Sequence, residues 1–282
     1  MGWRLDQAIG LGCECSTIPA NYSYGSGSEF LHLEYGNRAR DGILIAKSVE
    51  KGINNCRDTL DETSCYSCAM TNDWKPELYV RGLGKAYRME GAAMKRWPAC
   101  VKAQGVLDAL DSLVREENIK AEEIKEIHIK LQAASLSGTQ REGLETSVQA
   151  GLSIPYTAAA LLCIPEVSRW YDDENRKAAM LLDMAGRIQV TAEKETEPVY
   201  MDAVTGEEGG SISVLLIDGR ECKKEWEGWT LPGIEESLLL FKKWVSESVS
   251  EAFAGKAAEA LELIEEWESV ADYDWILTGS EA

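Results

Sequence analysis

Met94, Lys95, Arg96, Trp97, Pro98, Ala99, Cys100, Val101 and Lys102 put three cations, an indole, a proline and a thiol side by side in a chain with a formal net charge of −19. Pro98 disfavours helical backbone at Trp97, so the run is expected to be extended or turned. From Gln104 onwards Val106, Leu107, Leu110, Leu113 and Val114 recur on one side, which predicts an amphipathic helix ending near Glu117. On its own such a run reads equally well as a solvated surface turn or as an anion-binding segment. The rest of the chain has to decide between them.

At 282 residues the chain is long enough to bury a sizeable core, in one large or two ordinary domains. Its charged and apolar fractions are those of a globular protein. No uninterrupted apolar stretch approaches the roughly 20 residues that a membrane-spanning helix needs, so no membrane association is expected. The opening residues lack the pattern of a signal peptide, and a cytoplasmic location is the expectation. The acidic balance argues against a nucleic-acid partner, because neutralising phosphates takes a basic face. A small anion differs, since a few converging cations can hold one inside a negative envelope. Residues 95–102 are the first candidate for this, and Arg38 with Arg40 forms a smaller cluster.

Eight cysteines without a secretory signal read as reduced thiols rather than a disulfide framework. Cys13 with Cys15 and Cys65 with Cys68 have the ligand types for zinc. Their separation and the CxC spacing favour ordinary thiols, and no metal is expected.

In chain order, Leu5, Ala8, Ile9 and Leu11 mark a helix over 3–16, and Asn21–Ser28 reads as a loop. A helix from about Asn37 to Ile53 carries Ala39, Ile43, Ala46 and Val49. After the helix of 104–117, Ile127, Ile129 and Leu131 alternate with His128 and Lys130 as a half-buried strand. A loop over Ser135–Gly143 leads to a small-residue helix over 150–163. Asp172 or Asp173 is the expected N-cap of a helix carrying Ala178, Leu181, Leu182 and Ala185, with Gly186 as its stop. Ile188 and Val190 open another strand. Ile212, Val214 and Leu216 then run to Asp218-Gly219, a two-residue hairpin signal, with 221–227 as the returning strand. Helices over 233–249 and 252–270 close the chain. The fold class is therefore α+β, with an all-helical part into which a smaller α+β domain is inserted. The divisions expected are 1–90, 91–228 as an α+β lid, and 229–282 packing back on the helical part.

Several stretches together resemble the MmgE/PrpD family, which includes 2-methylcitrate dehydratase, cis-aconitate decarboxylase and iminodisuccinate epimerase. Gly36–Ala46 is similar to its glycine-containing helix, and Lys95–Cys100 to its lysine–aromatic–proline segment. The helix with Asp108 that follows, Ser153–Leu162, Ile217–Gly219 and Pro232–Lys242 resemble further family segments in the same order. The resemblance implies a helical domain with an α+β lid, usually in homodimers. It also implies elimination, decarboxylation or epimerisation beside a carboxylate, with no metal or organic cofactor. Lys95 matches the family's lid lysine and Tyr156 its helix tyrosine facing the cleft. An ammonium and a phenol fixed beside a carboxylate stabilise the charge that builds as a neighbouring proton leaves, and can protonate a leaving hydroxyl. Arg38, Arg96, Cys100 and Lys102 are the candidate substrate-binding residues.

The departures are informative too. The family's helical domain extends well before the point where this chain begins, and only two histidines are present. His32 is the candidate catalytic histidine, while His128 reads as structural. Glu29 falls where the family has a lysine. The reading that results is a lyase-type subunit for a small di- or tricarboxylate. It is expected as a homo- or hetero-oligomer, in one form with a chain resembling the family's N-terminal half. The alternatives are a non-catalytic relative that binds a carboxylate or a partner, and an epimerase. In each case the helices 3–16, 37–53 and 233–270 are expected to expose apolar faces.

Overall fold

In the computed structural model the N-terminal stretch forms two helices packed on each other, α1 (Gly2–Cys15) and α2 (Leu31–Glu50), followed by the short helices α3 (Cys65–Met70) and α4 (Glu77–Val80). The structure describes residues 2–15, 28–55, 58–62, 64–70, 72–87, 94–134, 144–195, 209–228 and 232–279. The expected loops over 21–27 and 135–143 lie outside these. The chain divides into two units, Met1–Ala92 and Ala93–Ala282.

Helix α2 starts at Leu31, earlier than the sequence suggests. The Ser28 hydroxyl accepts from the Phe30 N–H (3.2 Å), and the Ser28, Glu29 and Phe30 carbonyls accept from the next amides. That turn nucleates the helix, and Gly36 is then carried inside it. The helix stops where Gly52 takes a φ of 100°, with Ile53 N–H donating back to Ser48 O (3.0 Å), an αL C-terminal cap. Leu5, Leu33, Tyr35, Ile43 and Leu44 are each more than half exposed, an apolar surface on these two helices.

The second unit opens with α5 (Ala103–Glu116), whose Val106, Leu107 and Leu110 are fully buried. Asn118, at a φ of 50°, ends it in the left-handed region that asparagine tolerates. Strand β1 (Ile124–Ala134) follows. Then come α6 (Ser147–Leu152), α7 (Ile154–Cys163), α8 (Asp173–Arg176) and α9 (Ala179–Gly186). These lead to β2 (Ile188–Glu195), β3 (Gly210–Leu216) and β4 (Glu221–Trp226). Helices α10 (Ile234–Ser248), α11 (Glu251–Glu262) and α12 (Asp274–Thr278) close the unit.

The sheet order is β2-β1-β3-β4. β1 and β2 are parallel, joined by the crossover through α6–α9, and the other pairs are antiparallel. Pairing places Ile188, Ile127, Val214 and Cys222 in one row and Val190, Ile129 and Ile212 in the next. These rows form the face on which α5 and α7 pack, with α9 against α7 and β2. The opposite face is polar, with His128 beside Glu126 (3.5 Å) and Lys130 paired to Glu193 (2.6 Å). A register shift between Ile124 and Glu126 turns Ile124 into the core, out of phase with Ile127. The fold is α+β, as the alternation of helical and strand periodicities implied.

Four local expectations are corrected. The helix expected over 150–163 is two helices. Ser153 ends α6 and caps α7, its hydroxyl accepting from Tyr156 N–H (3.2 Å). Pro155 lacks an N–H and is tolerated only in a first turn, which forces the restart. The helix expected from Asp172 breaks after one turn, because Ala178 takes extended backbone, and resumes at Ala179. The hairpin loop has three residues, Ile217–Gly219, with Leu216 N–H donating to Arg220 O (2.8 Å) and Gly219 at a φ of 92°. The last long helix ends at Glu262 rather than near 270, and the indole of Trp267 folds back to donate to Ala260 O (3.0 Å).

Trp226 sits over Gly105 of α5, where an added Cβ would lie 2.7 Å from the indole Nε1. Gly105→Ala therefore overpacks the helix–sheet contact. It is expected to cost about 1–3 kcal/mol net of any helix-propensity gain, read as a lower urea midpoint with unchanged slope.

Candidate functional site

The cationic run is folded back over the first turns of α5. Gln104, fully buried, acts as a second backbone for it. Its Oε1 accepts from Trp97 N–H (3.0 Å) and its Nε2 donates to Trp97 O (3.0 Å). The Trp97 indole N–H donates to Asp108 (2.8 Å), and its ring stacks on Trp170 at 5.8 Å between centroids, 7° from parallel. With Trp97 held through its main chain and its ring, Lys95 turns back so that its ammonium donates to Ala99 O (3.0 Å).

Arg96 ties this segment to two carboxylates, with Nη1 on Asp108 (2.5 Å) and Nε on Glu236 (2.8 Å). Burial pushes the Asp108 carboxyl above its ordinary range despite the hydrogen bonds from Trp97 and Arg96, so desolvation outweighs the ion pair there. The more exposed Glu236 carboxyl is held down by the Arg96 guanidinium. Arg96, a candidate for binding substrate, is thus engaged in joining the segment to α5 and α10.

Cys100 and the helices 147–163 meet directly. The Cys100 N–H donates to Gly151 O (2.9 Å) at the end of α6. Tyr171 adds a second link, its hydroxyl donating to Pro98 O, and its ring stacks on Tyr156 at 6.2 Å. Tyr156 is fully buried in this unit, and its hydroxyl donates to Trp170 O. Desolvation pushes the Tyr156 phenol up to about 12 and the Tyr171 phenol further still. Burial also pushes the Cys100 thiol up, against the pull of the nearby Lys95 and Lys102 ammoniums. At neutral pH the cluster therefore holds two cations beside a protonated thiol, with two protonated phenols behind it. The ammoniums of that set can bind an anion, both phenol protons are already given to main-chain carbonyls, and no thiolate nucleophile is present in it.

Lys95, Arg96, Cys100, Lys102 and Tyr156 all lie in this unit, and the structure gathers them around Trp97, Trp170 and Tyr171. His32 and Arg38 belong to the first unit, six residues apart on α2. His32 is exposed, and Arg38 donates to Cys15 O (3.4 Å). Tyr171 is the residue that sequence reasoning missed. It lies outside the resembling stretches, in the irregular turn after α7, and only its fold-level neighbours reveal its role. Among the described residues no group of three or more His, Cys, Asp or Glu is placed to hold a metal ion, and no helix is long and apolar enough to cross a membrane.

Removing the Arg96 charge leaves Asp108 desolvated and uncompensated. Arg96→Met is expected to cost about 2 kcal/mol at neutral pH. Asp108 is held above its unfolded value, so its ionisation already lowers stability as pH rises, more so without Arg96. Glu236 is held below its unfolded value, so its contribution fades as pH falls. Both signs agree, and the gap between variant and parent in chemical denaturation narrows from pH 7 towards pH 4.

Residues 97–227 match the family model of the MmgE/PrpD C-terminal domain, just under half of the chain. No curated protein matches the chain. The matched stretch includes Trp97, Cys100, Lys102, Asp108, Tyr156 and Tyr171. Lys95 and Arg96 lie immediately before it, and His32 and Arg38 well before. The stretch that carries most of this cluster is thus the one that is similar to the MmgE/PrpD C-terminal domain.

Proposed function

We propose that the protein is a lyase-type enzyme subunit, of the dehydratase or decarboxylase kind, for a small di- or tricarboxylate. The observation that carries this reading is the Cys100 N–H to Gly151 O hydrogen bond, 2.9 Å, which joins two segments some fifty residues apart in sequence. Both segments carry resembling motifs, and their meeting sets the Lys95 and Lys102 ammoniums on a braced turn. Fixed ammoniums near a carboxylate stabilise the negative charge that develops on its oxygens when the adjacent carbon loses a proton. Lys95 is the proposed catalytic cation, with Lys102 and Cys100 lining the carboxylate. Tyr156 is proposed as the supporting phenol. His32 is the proposed proton acceptor and Arg38 a further anion-binding group, both carried by α2. Arg96 contributes by holding the segment that bears Lys95.

A role in binding a carboxylate or a partner without turnover is the second reading. It is favoured by the Tyr156 hydroxyl, which is engaged by Trp170 O within the core. The exposed apolar face of α1 and α2 supports assembly, with a second copy or with a chain resembling the family's N-terminal half, and a cytoplasmic location goes with this proposal.

The test is to isolate the native complex from its source cells and identify its subunits by mass. The complex is then assayed on 2-methylcitrate, cis-aconitate and iminodisuccinate. Turnover that falls about 10²–10³-fold in Lys95→Met, with an unchanged melting transition, is the expected result. No acceleration by the native complex on any of the three would leave the binding reading in its place.

A further inference from the structure

Arg176 is 6% exposed and carries a full charge into the second unit. A guanidinium is buried at this level only when its donors are met. Here Nη1 donates to Leu144 O (3.0 Å) and Glu145 O (2.6 Å), Nε donates to Tyr171 O (3.1 Å), and Nη2 meets Asp173. Three main-chain carbonyls from two separate segments thus converge on one side chain.

Both segments lead to the same place. Leu144 and Glu145 run into α6, whose first turn is locked by Thr146 and Gln149: Gln149 N–H donates to Thr146 Oγ1 (3.0 Å) and Gln149 Oε1 accepts from Thr146 N–H (3.2 Å). The other end of α6 offers Gly151 O to Cys100 N–H. The second arm is shorter, since Tyr171 itself donates to Pro98 O. Gly151 closes the circuit, because a Cβ there would meet the Tyr171 hydroxyl at 3.6 Å, so the phenol lies directly against the end of α6.

We propose that Tyr171 and Arg176 form a clamp that positions the Pro98–Cys100 turn, and through it the Lys95 and Lys102 ammoniums. Neither residue needs to touch substrate; they are positioning residues. The functional importance of the clamp rests on the reading of 95–102 as the carboxylate-binding segment, but its existence does not. With the clamp closed, Cys100 is pinned by its own N–H to Gly151 O. With the clamp open, its half-buried thiol becomes more accessible and less desolvated.

The test needs no substrate, so its failure is separable from failure of the lyase reading. The full chain is treated with iodoacetamide from neutral pH to about pH 11, a range that brackets a raised thiol, and alkylation is followed by mass spectrometry on the tryptic peptide from Trp97 to Lys102. Tyr171→Phe deletes one hydroxyl and keeps the ring. It is expected to speed Cys100 alkylation about tenfold, the effect of losing one net hydrogen bond on local opening, and to move the alkylation midpoint to lower pH. Arg176→Met is expected to do at least as much, and Arg176→Lys to restore part of the protection. Leu216→Ala serves as the control for general destabilisation, since it opens a cavity in the sheet core at the hairpin end of β3 and should leave the Cys100 rate unchanged. The clamp is overturned if Cys100 reacts at the parent rate in both Tyr171→Phe and Arg176→Met. It is equally overturned if Cys100 becomes reactive only where the melting transition is lost, or if Leu216→Ala accelerates it as much.

Discussion

The second unit depends on how Trp97 is held. Its peptide group is hydrogen-bonded on both sides by the Gln104 amide, its indole N–H is taken by Asp108, and its ring lies against Trp170. A proline one residue later removes the option of continuing as helix, so these contacts decide the path of the chain. With Trp97 fixed, the backbone of 98–100 passes within hydrogen-bonding distance of α6 and Tyr171. The cations on either side are then carried by a turn whose shape is set by buried groups rather than by solvent.

Charge is used in two ways in this acidic protein. Arg96 and Arg176 are structural. The first joins α5 and α10 to the cationic turn through Asp108 and Glu236, and the second gathers main-chain carbonyls. Arginine suits both tasks, because its planar fork satisfies several acceptors at fixed angles while remaining charged. Lys95 and Lys102 are single-point cations on the same turn, beside a thiol that burial keeps protonated. Within this unit the contacts of these arginines therefore build the fold, and the lysines are the cations that we propose meet the substrate carboxylate.

The first unit has a different balance. Helix α2 is 20 residues long, yet Glu34 and Val49 are its buried residues, and Leu33, Ile43 and Leu44 face outward. Helices gain most of their stability in proteins from packing an apolar face. An apolar face of this size on α1 and α2 is surface that further burial would stabilise.

The sequence alone was enough for the fold class and for most strands, because alternation with a period of two survives only where one face is buried. Ile127, Ile129 and Leu131 are legible for that reason, and so is the amphipathic stripe of α5. Several short resemblances in the right order also pointed to the family whose C-terminal domain model matches 97–227. The break at Ser153 was legible in principle, since a serine two residues before a proline is an N-cap signature, but the small-residue run on both sides masked it. What only the tertiary structure decided were the partners of groups whose role depends on distant chain. Nothing near Arg176 in sequence announces that it will be buried, and nothing near Tyr171 announces Pro98 as its acceptor. Periodicity reports which face of an element is covered. It carries no information about which carbonyl a buried donor will find, because that is set by how the elements pack.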